Sequence, residues 1–276
     1  MIDSAPFFSL LIPCHNNLSF LKECLLSLQR QSFQSFEVIV MDNGSSDGLL
    51  QWSSHWQGTF DLRVRRSEHN LGYAEGVNQA LDWSHGNIGV VLNSDLTFDP
   101  HFLEEIAAAF QNPETQDAAV LAAVHVKNKS GTETESLGIY LSSWLRAHNS
   151  KTGKNILGPA GAAFAFRKSL LAQIALTANK LYDPEYFFLW EDVEFALRST
   201  RLGIKTTVLP NAICYHHGNA TKSGYFYKQF LSMKNRRRLI RTYFPRYRWN
   251  RPWVVLLYDL PRFIFFKLFN PYRNKL

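Results

Sequence analysis

The chain contains 276 residues, of which 46% are hydrophobic and 19% are charged, and its formal net charge at pH 7 is +7. This composition excludes an intrinsically disordered chain, a collagen-like fibre and a small scaffold held together by disulfides. The length is nominally that of two domains of roughly 150 residues, although an α/β fold of this size often forms one.

Three cysteines, Cys14, Cys24 and Cys214, are scattered through apolar stretches. An odd number in such surroundings predicts free thiols and a reducing, cytoplasmic location. The first residues lack the basic segment and the small-residue cleavage site of a signal peptide. No stretch reaches about 18 uninterrupted apolar residues, so we expect no membrane-spanning helix.

The basic residues are concentrated towards the C-terminal end. Residues 234–276 hold 12 of the 30 lysines and arginines and one acid, Asp259, which gives this segment a net charge of +11. The other 233 residues hold 18 basic and 22 acidic side chains and have a net charge of −4. We therefore divide the chain into a mildly acidic domain, residues 1–233, and a basic, aromatic segment, residues 234–276.

Apolar strands alternate with amphipathic helices through the first part of the domain. Strands are predicted over residues 7–12, where Pro13 ends the apolar run, over 37–41 and over 88–93. Helices are predicted from Phe20 to Leu28 and from Gly72 to Trp83, where apolar residues recur at helical spacing. Strands that are apolar throughout and alternate with helices indicate an open, largely parallel sheet with both faces covered.

The second part of the domain has a less regular pattern. Helices are predicted over 102–110 and 191–202, and strands over 118–126 and 161–167. Residues 127–156 are polar and predict a loop or a hairpin.

Polar clusters follow three of the predicted strands: Pro13-Cys14-His15-Asn16, residues 42–47 and Asn93-Ser94-Asp95. Each cluster taken singly is also typical of an ordinary turn. Because ligands of open α/β sheets bind outside the carboxyl ends of the strands, we expect the three clusters to converge on one crevice. No GxGxxG follows the first strand and no GxxxxGK[ST] is present, which removes the main support for a dehydrogenase or a P-loop protein. Asp95 is instead a suitable oxygen ligand for a divalent cation that neutralises a diphosphate.

Six segments occur in a characteristic order along the chain: LLIPCHNN, VIVMDNGSSDG, HNLGYAEGVNQAL, VVLNSDLTFDP, GPAGAAFAFRKS and FFLWEDVEFALRSTRLG. In this order they resemble the inverting glycosyltransferases of family 2, and within that family the rhamnosyltransferase-like branch of bacterial surface-polysaccharide biosynthesis. The resemblance spans residues 7–244. It implies an α/β fold of the GT-A type, in which helices flank a mixed, mostly parallel sheet with a Rossmann-like nucleotide-binding half. The basic segment is expected to form a C-terminal helical tail.

The resemblance also implies a nucleotide-sugar site. Pro13, His15 and Asp42 would line the nucleotide pocket, with Asp42 at the edge of the base. The site would be shaped further by Asn70, Gly72 and Asn78.

The segment Asn93-Ser94-Asp95 matches the DxD-type motif of the family, with Asn at the first position. It therefore contributes to the nucleotide-sugar site, and Asp95 is the implied ligand of Mg²⁺ or Mn²⁺. A histidine that follows the last core strand can complete the metal or diphosphate site in this family. Of the two candidates, His216 and His217, we favour His217.

Glu191 and Asp192 open a predicted helix directly after the aromatic stretch 186–190. Acids are favoured in the first turn of any helix by its macrodipole, which is the simpler explanation of the pair. The resemblance instead matches them to the ED motif of the family. It implies that Asp192 is the base that takes the proton of the acceptor hydroxyl, with Glu191 as a supporting residue. Burial would tune the pKa of such a base.

An acceptor or sugar pocket is expected around Gly161, Ala162 and Trp190. The two small residues allow a sugar to approach closely, although a tight strand crossing requires the same residues. Trp190 is either a platform on which a sugar stacks or an aromatic residue of the core.

The basic segment contains 11 of the 39 aromatic residues of the chain. Pro252 and Pro261 are expected to break any long helix, and three charged residues lie within its apolar stretch, residues 253–269, a pattern typical of an interfacial segment. We therefore expect peripheral binding to the inner face of the bacterial cell membrane, which suits a lipid-linked acceptor. The alternative is a helical pair that packs on the catalytic domain or on a second subunit of a homodimer. We expect no nucleic acid, because no nucleic-acid-binding motif accompanies the basic residues.

The sequence thus predicts a metal-dependent, inverting glycosyltransferase that moves a sugar from a nucleotide-diphosphate sugar to a hydroxyl group of a saccharide or lipid-linked acceptor. The resemblance favours dTDP-rhamnose as the donor and leaves UDP-hexoses open. A nucleotidyltransferase is an alternative with a similar sheet and cation, but residues 10–17 contain no lysine or arginine to align on an α-phosphate. The other alternative is a non-catalytic module that binds a membrane or a nucleic acid.

Overall fold

A mixed β-sheet with helices on both of its faces forms the body of the first of two units in the computed structural model. The structure describes residues 5–112, 121–174, 180–218 and 224–269. The first unit extends to Phe187 and resumes from Glu191 to Thr221, and the second contains Phe188–Trp190 and the residues from Lys222 onwards. The predicted boundary after residue 233 differs from this division, because the charge composition changes there while a helix of the second unit continues.

The strands of the first unit are β1 (Phe8–Cys14), β2 (Phe36–Asp42), β3 (Asp61–Arg66), β4 (Ile88–Leu92), β5 (Leu96–Phe98), β6 (Leu121–Asn128), β7 (Thr134–Ser136), β8 (Ile139–Leu141), β9 (Ala147–Asn149), β10 (Ala163–Arg167) and β11 (Thr206–His216). Across the described part of the main sheet their order is β3-β2-β1-β4-β10-β6-β11-β5, with β7 paired to β6. The first four strands in this order are parallel, β10 is antiparallel to both of its neighbours, β6 and β11 are parallel, and β5 is antiparallel to β11. The predicted mixed α/β sheet is confirmed.

Helices of the first unit are α1 (Leu18–Leu28), α2 (Leu49–Ser53), α3 (Tyr73–Asp82), α4 (Phe102–Gln111), α5 (Leu171–Ile174) and α6 (Glu191–Arg201), with short 3₁₀ turns at Lys168–Leu170 and Pro184–Tyr186. Alternate residues of the central strands point to opposite faces of the sheet. Leu10 packs in a core with α1 and α4, and its neighbour Leu11 packs in a second core with α3, α5 and α6. Two covered faces explain why β1, β2 and β4 are apolar almost throughout.

Pro13 does not end the first strand as the sequence predicts, since β1 continues to Cys14. On one side Pro13 is in register with Met41 of β2, but on the other side the pairing with β4 covers only Phe8–Leu11. The strand therefore passes through the proline where one of its two neighbours has already ended, and fewer ladder hydrogen bonds need an N–H group there.

The other predicted elements agree with the structure to within a few residues. The strand predicted over 118–126 corresponds to β6, and its first three residues lie outside the described ranges. The polar stretch 127–156 contains β7 and the two-stranded hairpin β8–β9, which was one of its two predicted forms. The three cysteines are free and buried, as predicted.

The second unit is helical over its described residues. Its helices are α7 (Tyr225–Tyr243), α8 (Tyr247–Asn250), α9 (Pro252–Val254) and α10 (Leu260–Phe269), and a π-helical turn, Val255–Asp259, joins the last two. Pro252 begins α9, where its missing N–H is harmless. The predicted break at Pro261 is wrong, since the helix continues through it directly after the wider π-helical turn. None of the helices described combines the length and the hydropathy needed to cross a membrane.

Candidate active site

The three polar clusters predicted from the sequence lie at neighbouring strand ends of the first unit. Because β1 pairs in parallel with both β2 and β4, the loops that follow these strands emerge at one edge of the sheet. The loops are connected directly: the Asn16 backbone N–H donates to Ser45 Oγ at 2.9 Å, and Asn17 Nδ2 donates to Ser94 Oγ at 3.1 Å. The clusters therefore converge as expected.

The predicted nucleotide-pocket residues occupy different environments at this edge. Asp42 is fully buried, with Oδ2 2.7 Å from Arg66 Nη1 and Oδ1 accepting from the Ser45 N–H at 2.8 Å. Pro13 is buried in β1, whereas His15 is exposed, and its Nδ1 lies 2.8 Å from the Asn43 carbonyl oxygen. Of the three predicted residues, His15 is thus the one that presents its side chain to solvent.

The residues predicted to shape the nucleotide-sugar site mainly position the backbone. Asn70 Oδ1 accepts from the Gly72 N–H at 2.9 Å. Gly72 adopts φ +85°, and a Cβ atom there would lie 2.5 Å from the Phe187 ring, so only glycine fits. Asn78 is buried and bonds to Leu181 and Tyr182: its Oδ1 accepts from both N–H groups at 3.0 Å. Asn78 therefore anchors the segment that leads to the aromatic stretch and the ED motif.

The segment Asn93-Ser94-Asp95 connects β4 to β5 and is largely shielded from solvent. The Oδ1 atom of Asn93 is buried and accepts no hydrogen bond from the residues that the structure describes. Asp95 is 7% exposed, and its Oδ2 lies 3.4 Å from Nε2 of His216. An unpaired amide oxygen and a carboxylate thus occur within three residues at one strand end.

The structure brings the side chain of His216, rather than that of the predicted His217, to the carboxylate of Asp95, whereas the backbone N–H of His217 donates to the Asp95 carbonyl oxygen at 3.0 Å. In the antiparallel pairing of β11 with β5, His216 is in register with Leu96, the residue after Asp95. The side chain of His217 points elsewhere, with Nδ1 3.4 Å from Glu23. The choice of His217 depended on where the last strand ends, which the sequence did not show.

Glu135, which the sequence analysis did not select, orients His216. Its Oε2 lies 2.9 Å from Nδ1 of the imidazole, so the other ring nitrogen faces Asp95. Burial disfavours the charged imidazolium, but the hydrogen bonds and charges of Asp95 and Glu135 outweigh it and raise the pKa of His216 to about 9. The two carboxylates therefore make this place attractive to a cation.

The residues present fit a divalent cation. A carboxylate, an imidazole held by a second carboxylate and an unpaired amide oxygen are all suitable donors, and such a cation can complete its shell with water and phosphate oxygens. Within the described ranges no group of three or more His, Cys, Asp and Glu side chains could hold a metal ion by itself, so the protein would supply only part of the shell.

Asp192 lies at the first turn of α6, and backbone N–H groups fix its carboxylate. Oδ2 accepts from Gly161 at 3.0 Å and Oδ1 accepts from Val193 at 2.8 Å. Burial raises the pKa of Asp192 above its ordinary value, although these hydrogen bonds to the charged form oppose the rise. The carboxylate is thus held in one orientation and made more basic than an exposed aspartate.

Glu191 is buried more deeply than its neighbour Asp192. It is 5% exposed, and its Oε2 has no hydrogen-bond partner among the described residues. Burial, followed by the negative charge of Asp192, raises the pKa of Glu191 to about 8. The two carboxyl groups therefore titrate as a coupled pair, and at neutral pH the pair retains a proton.

Gly161 and Ala162 connect the ED motif to the strand-end cluster. The N–H of Gly161 donates to Asp192, and the carbonyl oxygen of Ala162 accepts from the N–H of Asn93 at 2.9 Å. The hydroxyl of Tyr73 donates to the carbonyl oxygen of Gly161 at 2.7 Å. A Cβ atom on Gly161 would lie 3.0 Å from Cβ of Asp192, so the glycine provides the space for the carboxylate itself.

Trp190 is largely buried. It is 9% exposed and belongs to the second unit, where its Nε1 donates to Ser232 Oγ at 2.9 Å. This packing favours the second of the two predicted roles, an aromatic residue of the core, and a platform for a sugar stays a prediction.

The model of the family described as glycosyl transferase family 2 matches residues 9–175, more than half of the chain. Among curated proteins, the chain is 38% identical over 107 residues to the uncharacterized glycosyltransferase YfnE of Bacillus subtilis. It is 26% identical over 212 residues to the poly(ribitol-phosphate) beta-N-acetylglucosaminyltransferase TarS of Staphylococcus aureus. The two matches cover 38% and 76% of this chain but only 27% and 35% of the relatives, so the chain corresponds to a part of each.

Solved structures show the same fold at low sequence identity. The mannosyltransferase PcManGT of Pyrobaculum calidifontis, in complex with GDP-Man and Mn²⁺, has a TM-score of 0.61 and 17% identity, over 87% of this chain and 64% of that chain. S. aureus TarS 1-349 in complex with UDP-GlcNAc has a TM-score of 0.61 and 19% identity, over 93% of this chain and 78% of that chain. These likenesses confirm the GT-A type of fold, and the rhamnosyltransferase-like branch stays a prediction.

Proposed function

This chain belongs to glycosyl transferase family 2, and we propose from that premise that it transfers a sugar from a nucleotide-diphosphate sugar to a hydroxyl group of an acceptor, with inversion at the anomeric carbon. The acceptor is a saccharide or a lipid-linked saccharide of glycan biosynthesis. The observation that carries the proposal is the backbone connection through Gly161 and Ala162, which joins the half-buried carboxylate of Asp192 to the Asn93-Ser94-Asp95 cluster. One-step displacement requires a base next to the site that binds the diphosphate, and this connection links the two.

Asp192 acts as the base. In an inverting displacement the acceptor hydroxyl must lose its proton as it attacks the anomeric carbon, and a positioned carboxylate with a raised pKa takes it efficiently. The N–H groups of Gly161 and Val193 keep the carboxylate in place, and Glu191 remains protonated beside it. One negative charge, rather than two, therefore faces the reacting atoms.

Asp95 and His216 would hold the divalent cation, with Glu135 fixing the imidazole. Such a cation supplies charge neutralisation for the departing diphosphate. Carboxylate, amide and water oxygens suit Mg²⁺ and Mn²⁺ alike, and Mn²⁺ is tested first because PcManGT is solved with it.

The donor is proposed on two grounds. TarS and PcManGT are solved with UDP-GlcNAc and GDP-Man, which supports a nucleotide-diphosphate sugar as the class. The resemblance to the rhamnosyltransferase-like branch favours dTDP-rhamnose within that class, with UDP-hexoses as the second choice. A thermal-shift panel of UDP, dTDP, GDP and CMP, each with and without Mn²⁺, tests both grounds. A selective, Mn²⁺-dependent rise in Tm with dTDP or UDP is expected, and no rise with any nucleotide would contradict the proposal.

Asp192→Asn tests the base directly. The amide keeps the size of the side chain but cannot take a proton, so turnover with the donor found above should fall by about a hundredfold to ten-thousandfold. The nucleotide-dependent rise in Tm should be unchanged, because the substitution leaves the strand-end cluster intact. Asp82→Asn, an exposed aspartate on α3, is the matched control and should keep full activity. Full turnover by Asp192→Asn would show that Asp192 is not the base.

A further inference from the structure

The second unit carries an exposed apolar stripe along its last helical stretch. The stripe consists of Trp253, Leu256, Leu257, Leu260 and Ile264, which are between 42% and 71% exposed. Their spacing of three and four residues places them on one face of the continuous helical stretch 252–269. Single exposed apolar residues are common on proteins, but a row of five on one helix face marks an interaction surface.

The opposite face of the same stretch holds Asp259 and Arg262. Asp259 forms an ion pair with Arg236 of α7, and Arg262 Nη2 donates to Gln229 Oε1 at 2.8 Å. The guanidinium of Arg237 lies 4.3 Å from the centre of the Phe263 ring. Asp259 and Arg262 thus turn towards α7 while the five apolar residues of the stripe face outwards, the reverse of a helix that packs its apolar face and exposes its polar face to water.

The surroundings of the stripe are basic. Arg246 and Arg251 are exposed and flank Trp249, which is 74% exposed. Residues 224–269 contain 11 lysines and arginines and a single acid, Asp259, which forms an ion pair with Arg236. A second copy of this surface would bring like charges together, so the stripe is poorly suited to self-association. An anionic partner with an apolar interior is complementary to both features.

We propose that the second unit binds the surface of an anionic lipid bilayer, with the apolar stripe at the level of the headgroups and acyl chains and with Arg246 and Arg251 against the phosphates. Tryptophan is enriched at this level of membranes, which fits the exposure of Trp249 and Trp253. The binding is interfacial and does not depend on sugar transfer, so it can be tested without a donor or an acceptor.

The test is sedimentation of the full chain with vesicles of phosphatidylcholine alone or mixed with phosphatidylglycerol. We expect binding to the mixed vesicles. Each leucine replaced by glutamine should weaken partitioning roughly fivefold, so Leu256→Gln/Leu257→Gln/Leu260→Gln should weaken it on the order of a hundredfold. The control triple variant, Leu26→Gln/Leu50→Gln/Leu202→Gln, changes three leucines of the first unit that are 45% to 52% exposed, against 42% to 68% for the stripe leucines, and should bind like the wild type.

The electrostatic part has its own variant. Arg246→Gln/Arg251→Gln should weaken binding to the mixed vesicles by roughly fivefold per residue, and added salt should weaken the wild type in the same direction. Unchanged melting curves for all variants establish that each remains folded. The proposal is overturned if the wild type stays in the supernatant or if both leucine variants bind equally. It is also overturned if the wild type forms a dimer in the absence of lipid and the stripe variant, but not the control variant, is a monomer. In that case the stripe binds a second copy of the chain.

Discussion

Replacing Glu191 by glutamine removes a buried carboxyl group whose Oε2 atom has no hydrogen-bond partner in the part of the chain that the structure describes. The pKa of Glu191 is raised to about 8, by burial and then by Asp192, from an ordinary value of 4.5. The folded protein therefore holds this proton more tightly than the unfolded chain, and the free energy of unfolding decreases as the pH rises between these two values. At about 1.4 kcal/mol per pH unit, the loss reaches about 3 kcal/mol at pH 7 and about 5 kcal/mol above pH 8. Glutamine has no proton to lose, so Glu191→Gln should gain up to this amount.

Urea unfolding of both proteins across the pH range measures the effect. The two should have equal stability well below pH 4.5, where Glu191 is protonated in the folded and the unfolded state, and Glu191→Gln should become increasingly the more stable as the pH rises from 4.5 to about 8. Glu68→Gln, an exposed glutamate, is the control and should follow the wild type throughout. If Glu191→Gln is less stable than the wild type at pH 8, the glutamate is paired and ionised in the folded state and the assignment of the retained proton is wrong.

Two further substitutions test the geometry around the other carboxylates. A Cβ atom at position 161 would lie 3.1 Å from Oδ2 of Asp192, so Gly161→Ala should displace the base and lower kcat by roughly tenfold to a hundredfold, with the nucleotide-dependent rise in Tm retained. A wild-type kcat would contradict this. Glu135→Ala removes the acceptor beside Nδ1 of His216, and the Kd for Mn²⁺ measured by calorimetry should rise roughly tenfold to a hundredfold. Glu135→Gln still offers an oxygen to Nδ1 and should restore most of the affinity; equal Kd values for all three proteins would refute the positioning role.

The central strands could be predicted from the sequence because they are buried on both faces. β1, β2 and β4 are short runs, apolar almost throughout and bounded by polar loops, which is the pattern of a strand buried on both faces. β3 and β11 were missed for physical reasons. β3 is an edge strand with arginines at three of its six positions, and β11 contains Pro210 beside a shift in register between Leu209 and Ile213. Neither has the apolar run of a strand that is covered on both faces.

The sequence could predict those site residues that lie next to a recognisable strand or helix, and not the ones that come from distant segments. The end of β4 and the start of α6 located Asp95 and Asp192, because both lie next to elements with a clear pattern. Arg66 beside Asp42 and Glu135 beside His216 could not be found in this way, since both come from strands that the sequence did not predict. Such partners are set by strand pairing between distant segments, which leaves no local signal.

Gly72 illustrates how a residue named by resemblance acquires a physical reason from the structure. Phe187 adopts φ +50°, a conformation that costs free energy in a residue other than glycine. Its carbonyl oxygen accepts from the N–H groups of Tyr73, at 2.6 Å, and Ala74 at the start of α3, and its ring occupies the space that a side chain at position 72 would fill. The first turn of α3 therefore secures the strained residue that lies four positions before Glu191. Glycine is required at position 72 because Phe187, which leads to the ED motif, packs directly against it. This requirement holds whether or not Gly72 also touches a nucleotide-sugar.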